Sequence, residues 1–130
     1  MSLVDPVVEG LTKIRNAEVA SQKECLLKPA SKFLGEVLRV AKENEYIEEY
    51  TMNENKGIVT FSVKLNGKMN TCKAIRPRHA VKKTEFEKFE KRYLPARDVG
   101  LLIVSTPQGV MTHRDAKKKS LGGRLIAFMY

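Results

Sequence analysis

The chain has 130 residues, 42% of them hydrophobic, with 24 Lys and Arg against 15 Asp and Glu and a formal charge of +9. That length supports one domain, or two small lobes, around a modest core, and the positive surplus makes an acidic polymer or an anionic surface the first partner class to consider. No apolar run approaches the ~20 residues of a bilayer-spanning helix and the first residues lack a signal-peptide pattern, so the expectation is a soluble intracellular protein with no membrane partner.

In chain order, Asp5-Pro6 is a helix start: the carboxylate can accept from orphan backbone donors, and proline at the first helical position sacrifices no hydrogen bond. Val7, Leu11 and Ile14 then recur on one apolar face, while Thr12, Arg15 and Asn16 share another. A short strand over Cys25 to Lys28 leads through Pro29-Ala30 to Ser31. This serine can cap a second helix with an apolar face of Phe33, Leu34, Val37, Leu38 and Ala41, closed by Asn44. Tyr46 to Asn53 and Ile58 to Leu65 read as strands joined by Glu54-Asn55-Lys56-Gly57.

Asn66-Gly67 is the strongest turn signal, because both central positions of a type I′ turn need positive φ; it predicts a hairpin whose second strand spans Lys68 to Ile75. The following Arg76-Pro77-Arg78-His79-Ala80-Val81-Lys82-Lys83 reads as an exposed basic arm, its proline blocking regular pairing. Thr84 to Glu87 matches a capping box ahead of a short helix with Phe86, Phe89 and Tyr93 on one face. Leu94-Pro95 ends that helix. A strand over Leu101 to Ser105 runs into the turn Ser105-Thr106-Pro107-Gln108-Gly109, and Thr112 to Asp115 matches a second capping box for a short helix. Gly122-Gly123 is expected to terminate that helix before a last strand from Arg124 to Tyr130. The pattern describes an α+β fold of two small packed lobes: an N-terminal α-β-α-β-β lobe over residues 1–65 and a C-terminal lobe over 66–130, mostly β with short helices.

The charge is unevenly placed. Residues 1–63 carry eight Lys/Arg against ten Asp/Glu, residues 64–97 carry eleven against three, and residues 98–130 carry five against two. Arg76, Arg78, Lys82 and Lys83 can neutralise phosphates and release counterions. Catalytic constellations are missing: His79 and His113 have no paired-ligand spacing, and no Gly-x-Ser-x-Gly elbow or phosphate-binding Gly-rich loop is present. His113-Arg114-Asp115 imitates a kinase triplet, but Ser120 stands where the metal-binding Asn belongs, so the triplet reads as a helix N-terminus. Cys25 and Cys72, far apart and in no metal-ligand or Cys-x-x-Cys spacing, read as small buried hydrophobes. We expect no catalytic residue, metal, cofactor or small-molecule substrate.

RNA suits the turn better than duplex DNA. No long basic helix is available for a major groove, whereas the shallow minor groove and splayed bases of RNA admit short hydroxyl side chains and bare backbone. Ser105 and Thr106 can donate and accept, Gln108 can bond a base edge, and Gly109 lets the backbone come close.

At these residues the chain resembles a known family. Gly100-Leu-Leu-Ile-Val-Ser105-Thr106-Pro-Gln-Gly109-Val-Met-Thr112, with Ala116-Lys117 and Gly122-Gly123, is similar to the C-terminal signature of the eighth ribosomal protein of the small subunit. Asp5-Pro6 with Leu11 to Ala17, and Lys28-Pro29-Ala30-Ser31-Lys32, resemble its first two helix starts. Arg92-Tyr93-Leu94-Pro95-Ala96-Arg97 resembles the archaeal and eukaryotic branch.

The resemblance implies a non-catalytic, primary rRNA-binding protein that holds an irregular stem in the central domain of small-subunit rRNA, aids subunit assembly in the cytoplasm and touches neighbouring small-subunit ribosomal proteins. An RNA-binding regulator or chaperone acting on messages is the alternative. Carried over by position, Ser105, Thr106, Pro107, Gln108 and Gly109 form the RNA-binding loop. Thr12, Arg15, Asn16, Ser31 and Lys32 contact a neighbouring rRNA helix, and Arg76, Arg78, Lys82, Lys83, Gly122 and Gly123 complete the contact set. One departure stands out: the family loop usually reads Ser-Thr-Ser-x-Gly, and Pro107 here removes a hydroxyl and a backbone donor. Recognition is therefore expected to shift onto Ser105, Thr106 and backbone groups.

Overall fold

In the computed structural model, which describes residues 5–28, 31–76, 78–96 and 99–130, the Asp5 carboxylate accepts the Val7 amide at 3.0 Å and opens α1 (Pro6–Val19). Val7, Leu11, Ile14 and Ala17 are its buried stripe. After β1 (Glu24–Leu27), the Ser31 hydroxyl accepts the Leu34 amide at 3.1 Å and starts α2 (Lys32–Glu43), which Asn44 closes. Then β2 (Glu49–Asn55) and β3 (Ile58–Lys64) complete an antiparallel sheet of order β1-β3-β2. Cys25, Val63 and Tyr50 share one cross-strand row and Leu27, Phe61 and Met52 another, so these alternate residues line one face. On this face Phe61 and Val63 of the central strand and Leu27 of β1 are buried, with the Phe61 ring reaching Gly35 of α2.

Two turns depart from expectation. Lys56 and Gly57, at φ 52 and 79, supply the type I′ hairpin between β2 and β3, so that connection is shorter than the four residues expected. Asn66-Gly67 starts no hairpin. Gly67 has positive φ but Asn66 does not; the Asn66 side chain instead accepts the Lys68 amide at 3.1 Å and donates to the Glu45 carbonyl at 2.9 Å. A local side-chain turn has displaced the hairpin, and the next strand, β4 (Cys72–Ala74), pairs in the second sheet.

The chain divides into Met1–Cys72 and Lys73–Tyr130. The first unit carries ten Lys/Arg and ten Asp/Glu and the second fourteen against five, so the whole charge of +9 belongs to the second. There β5 (Ala80–Val81), α3 (Phe86–Tyr93), β6 (Leu101–Thr106), β7 (Gly109–Thr112), α4 (His113–Lys118) and β8 (Gly123–Met129) follow in order. The five-stranded sheet runs β4-β8-β6-β7, with β5 also on β8. Phe86 and Phe89 of α3 join Leu102, Val104, Met111, Ala116 and Leu125 in one buried cluster. The fold is α+β, as its pattern of elements implied.

Three further expectations are corrected. The capping box at Thr84 does not form: Glu85 precedes α3 without a side-chain cap, its carboxylate accepting the Lys82 amide at 3.0 Å instead. Gly122-Gly123 does not end α4. That helix closes at Lys119, with Ser120 at φ 54, and Gly123 already belongs to β8. Finally, β7 stands between the Pro107 turn and α4, where the sequence reading has only loop.

Candidate nucleic-acid interface

The end of β6 is where sequence and charge converge. Ser105 pairs with Val110 on one side and Arg124 on the other, and Thr106 pairs with Gly109 across a two-residue turn, Pro107-Gln108. Proline holds φ near −65°, which rules out the type I′ turn preferred for two-residue hairpins. The mismatch in twist falls on Gly109, whose φ of 119 few other residues could adopt. Pro107, Gln108 and Gly109 are exposed.

The two hydroxyls have different occupations. Thr106 is only 8% exposed; its Oγ1 accepts the Gln108 amide at 3.2 Å and donates to the Gly109 carbonyl at 2.8 Å. It holds the turn shut on itself. The Ser105 hydroxyl, half-buried, has no hydrogen-bond partner among the described residues, so it can serve an external group. Of the pair, the Ser105 hydroxyl is unengaged among the described residues and Thr106 is the turn's internal brace.

Gly122 and Gly123 bring three strands into one corner. A Cβ on Gly123 would lie 2.1 Å from the Ser105 carbonyl oxygen, and one on Gly122 would lie 2.6 Å from that of Val81. Any side chain at either position would push β8 off β6 or β5. The glycines are therefore spacers that place the basic segment beside the Ser105 loop.

That basic segment is more ordered than an exposed arm. The Ile75 amide donates to Ile126 and the Leu125 amide to the His79 carbonyl, each at 2.9 Å, and Ala80–Val81 pairs with Arg124 and Gly123. Val81 is 3% exposed, and His79 stacks on Phe89 at 5.7 Å. Arg76, Arg78, Lys82 and Lys83 remain exposed. The expectation of a segment without pairing is overturned because β8 offers its free edge to residues past the proline; Pro77 itself, like Pro29, Ala30 and Arg97, lies outside the described residues.

In the first unit Thr12, Arg15 and Asn16 are exposed on α1, with the Thr12 hydroxyl donating back to the Val8 carbonyl at 2.8 Å. Lys32 is exposed, while the Ser31 hydroxyl is occupied as the α2 cap.

His113 is no reactive group. Its Nδ1 accepts the Leu102 amide at 3.0 Å and its Nε2 lies 3.3 Å from the Glu90 carboxylate, which also pairs with Lys117. Burial pushes the imidazole down to about 4, so it is neutral near pH 7. Thr112 caps α4 by accepting the Asp115 amide at 3.2 Å, which gives His113-Arg114-Asp115 the role of a helix start. Burial likewise raises the Cys25 thiol to about 11 and the Cys72 thiol to about 12, and neither is in a disulfide. Among the described residues no cluster of His, Cys, Asp or Glu could hold a metal, and no helix is long and apolar enough to cross a membrane.

The family model for ribosomal protein S8 matches residues 5–130, nearly the whole chain. The chain belongs to the ribosomal protein S8 family. It is therefore a small-subunit ribosomal protein that binds rRNA, a member of a structural rather than enzymatic family whose partners are rRNA and other ribosomal proteins. In this S8 family member the residue that sequence reading missed is Arg124. It is exposed, sits opposite Ser105 in the sheet, and reaches the Arg78 carbonyl at 3.4 Å, joining the loop to the basic segment. Its only sequence signal was a cation at the start of the last strand.

Proposed function

We propose that this S8 family member is a primary rRNA-binding protein of the archaeal and eukaryotic type, working in cytoplasmic small subunits. It reads an irregular stem in the central domain of small-subunit rRNA and aids subunit assembly. The observation that carries the reading is the corner itself: a Ser105 hydroxyl with no hydrogen-bond partner among the described residues, an exposed Pro107-Gln108-Gly109 turn, Arg124, and a cationic segment stitched alongside by a Gly-Gly spacer. Hydroxyl and backbone groups suit splayed bases and 2′-hydroxyls, while Arg76, Arg78, Lys82 and Lys83 supply phosphate contacts. Gly122 and Gly123 act in this set by position. Thr12, Arg15, Asn16 and Lys32, with Ser31 as the α2 cap, form a lesser contact to a neighbouring rRNA helix. Comparing the protein's affinity for total small-subunit rRNA and for an isolated central-domain stem tests the reading. Equal affinity for the stem and for an unrelated regular hairpin contradicts it.

A further inference from the structure

The proposed RNA-reading corner uses one end of β6 and β8, and the other end carries a row of three aromatic rings. Tyr93 of α3 stacks on Phe128 of β8 with centroids 5.4 Å apart at 27°, and Phe128 stacks on Tyr130 at 6.2 Å and 15°. The Arg92 guanidinium lies 5.3 Å over the Tyr93 ring and closes that end of the row. Tyr130 stands at the other end. It is half-buried, and among the described residues no ring or cation other than Phe128 stacks on it. The hydroxyls of Tyr93 and Tyr130 have no hydrogen-bond partner among those residues.

Backbone geometry fixes the last ring. Gly100, at φ 80, approaches so closely that a Cβ there would lie 2.6 Å from both the Tyr130 Cβ and the Met129 carbonyl oxygen. Exposed Arg114 donates to the Gly100 carbonyl at 3.0 Å, which anchors a second guanidinium at the residue abutting Tyr130. The row covers the buried cluster around Leu102 and Val104, a task that branched aliphatic side chains would perform equally well. What aliphatics would not supply is a series of near-parallel π-faces, flanked by guanidinium groups, in the unit that holds the entire positive surplus.

We propose that this row is a second RNA contact, in which an unpaired nucleobase stacks on Tyr130 and Arg114 neutralises an adjoining phosphate. The inference rests on the reading that the second unit faces rRNA. It adds a site that recognises a flipped or bulged base by its π-face, without sequence preference.

The chain has no Trp, so Tyr130→Trp introduces a single indole reporter at the proposed platform. Titrated with small-subunit rRNA at fixed salt, it should bind at least as tightly as the parent, and its fluorescence should be quenched by the stacked base. Tyr130→Leu, which keeps apolar cover over the core, should bind about tenfold more weakly with an unchanged salt slope. Parent-like binding by Tyr130→Leu, together with an unquenched indole in a Tyr130→Trp protein that binds rRNA, would overturn the inference and leave the RNA reading standing. Should Tyr130→Leu fail to fold by circular dichroism, the indole quench decides alone. Ser105→Ala in the same assay reports separately on the loop: a loss there with Tyr130→Leu unaffected sinks only the aromatic site.

Discussion

Gly123 lies so close to Ser105 that a Cβ on the glycine would stand 2.1 Å from the serine carbonyl oxygen. No real side chain tolerates that separation, so the β6–β8 pairing beside the proposed RNA loop depends on the bare backbone. Gly123→Ala should force the strands apart and destabilise the protein by ~1–3 kcal/mol, the usual cost of overpacking. Affinity for rRNA should fall with it. Denaturant midpoints and binding measured on the same preparation check this, and an alanine variant with parental values of both would show that the contact is not needed.

The two hydroxyls of the loop should separate in mutagenesis. Ser105→Ala removes a group with no partner among the described residues, so stability should stay within ~0.5 kcal/mol of the parent, while affinity for the cognate stem drops by ~1–3 kcal/mol if a buried hydrogen bond is lost. Thr106→Val removes both bonds that close the turn and should cost ~1 kcal/mol of stability, with Thr106→Ser restoring most of it. The reverse pattern, Ser105 mattering for folding and Thr106 for binding alone, would contradict the assignment.

The exposed lysines test the electrostatic part of the interface. Lys82→Gln with Lys83→Gln should leave stability nearly unchanged, since the Glu85 carboxylate engages the Lys82 backbone amide rather than its side chain. Binding to every RNA should weaken together, and the salt slope should fall by about 2. A selective loss for one stem, or an unaltered slope, would remove these lysines from the phosphate-contacting set.

Acid should weaken the fold through His113. Burial is the main cause of its low value of about 4; Arg114 and Lys117 act in the same direction and Glu90 against it. An unfolded histidine titrates near 6.5. As the pH falls from about 6.5 toward 4, the unfolded chain takes up a proton that the folded chain refuses, so stability declines across that window by at most ~3 kcal/mol. Above about 6.5 this group contributes no pH dependence. His113→Asn offers an oxygen that can accept the Leu102 amide in place of Nδ1, and denaturant midpoints from pH 4 to 7 should then show a shallower slope. An identical slope would mean that other groups govern the acid response.

Much of this was legible in the residues, for local reasons. Asp5, Ser31 and Thr112 cap helices within three positions of themselves, and such contacts leave a signature in short stretches of sequence. The Ser105–Gly109 turn was legible through its proline and glycine. What escaped was set by distant partners. The pairing of the basic segment depends on β8, more than 40 positions later; Asn66 turned away from a hairpin because its amide reached Glu45; and Gly122-Gly123 matched a helix stop while serving as a spacer against Val81 and Ser105. Ser105 and Thr106 are alike in sequence, each offering a hydroxyl of equal capacity. Only the geometry of the closed turn distinguishes them.

Site-specific photocrosslinking from Gln108, an exposed turn residue whose side chain makes no hydrogen bond among the described residues, maps the RNA contacts of the loop most directly. With small-subunit rRNA bound at physiological salt, crosslinks should concentrate on one irregular stem of the central domain and be reduced by Ser105→Ala. Crosslinks spread evenly over the rRNA, or confined to other domains, would contradict it.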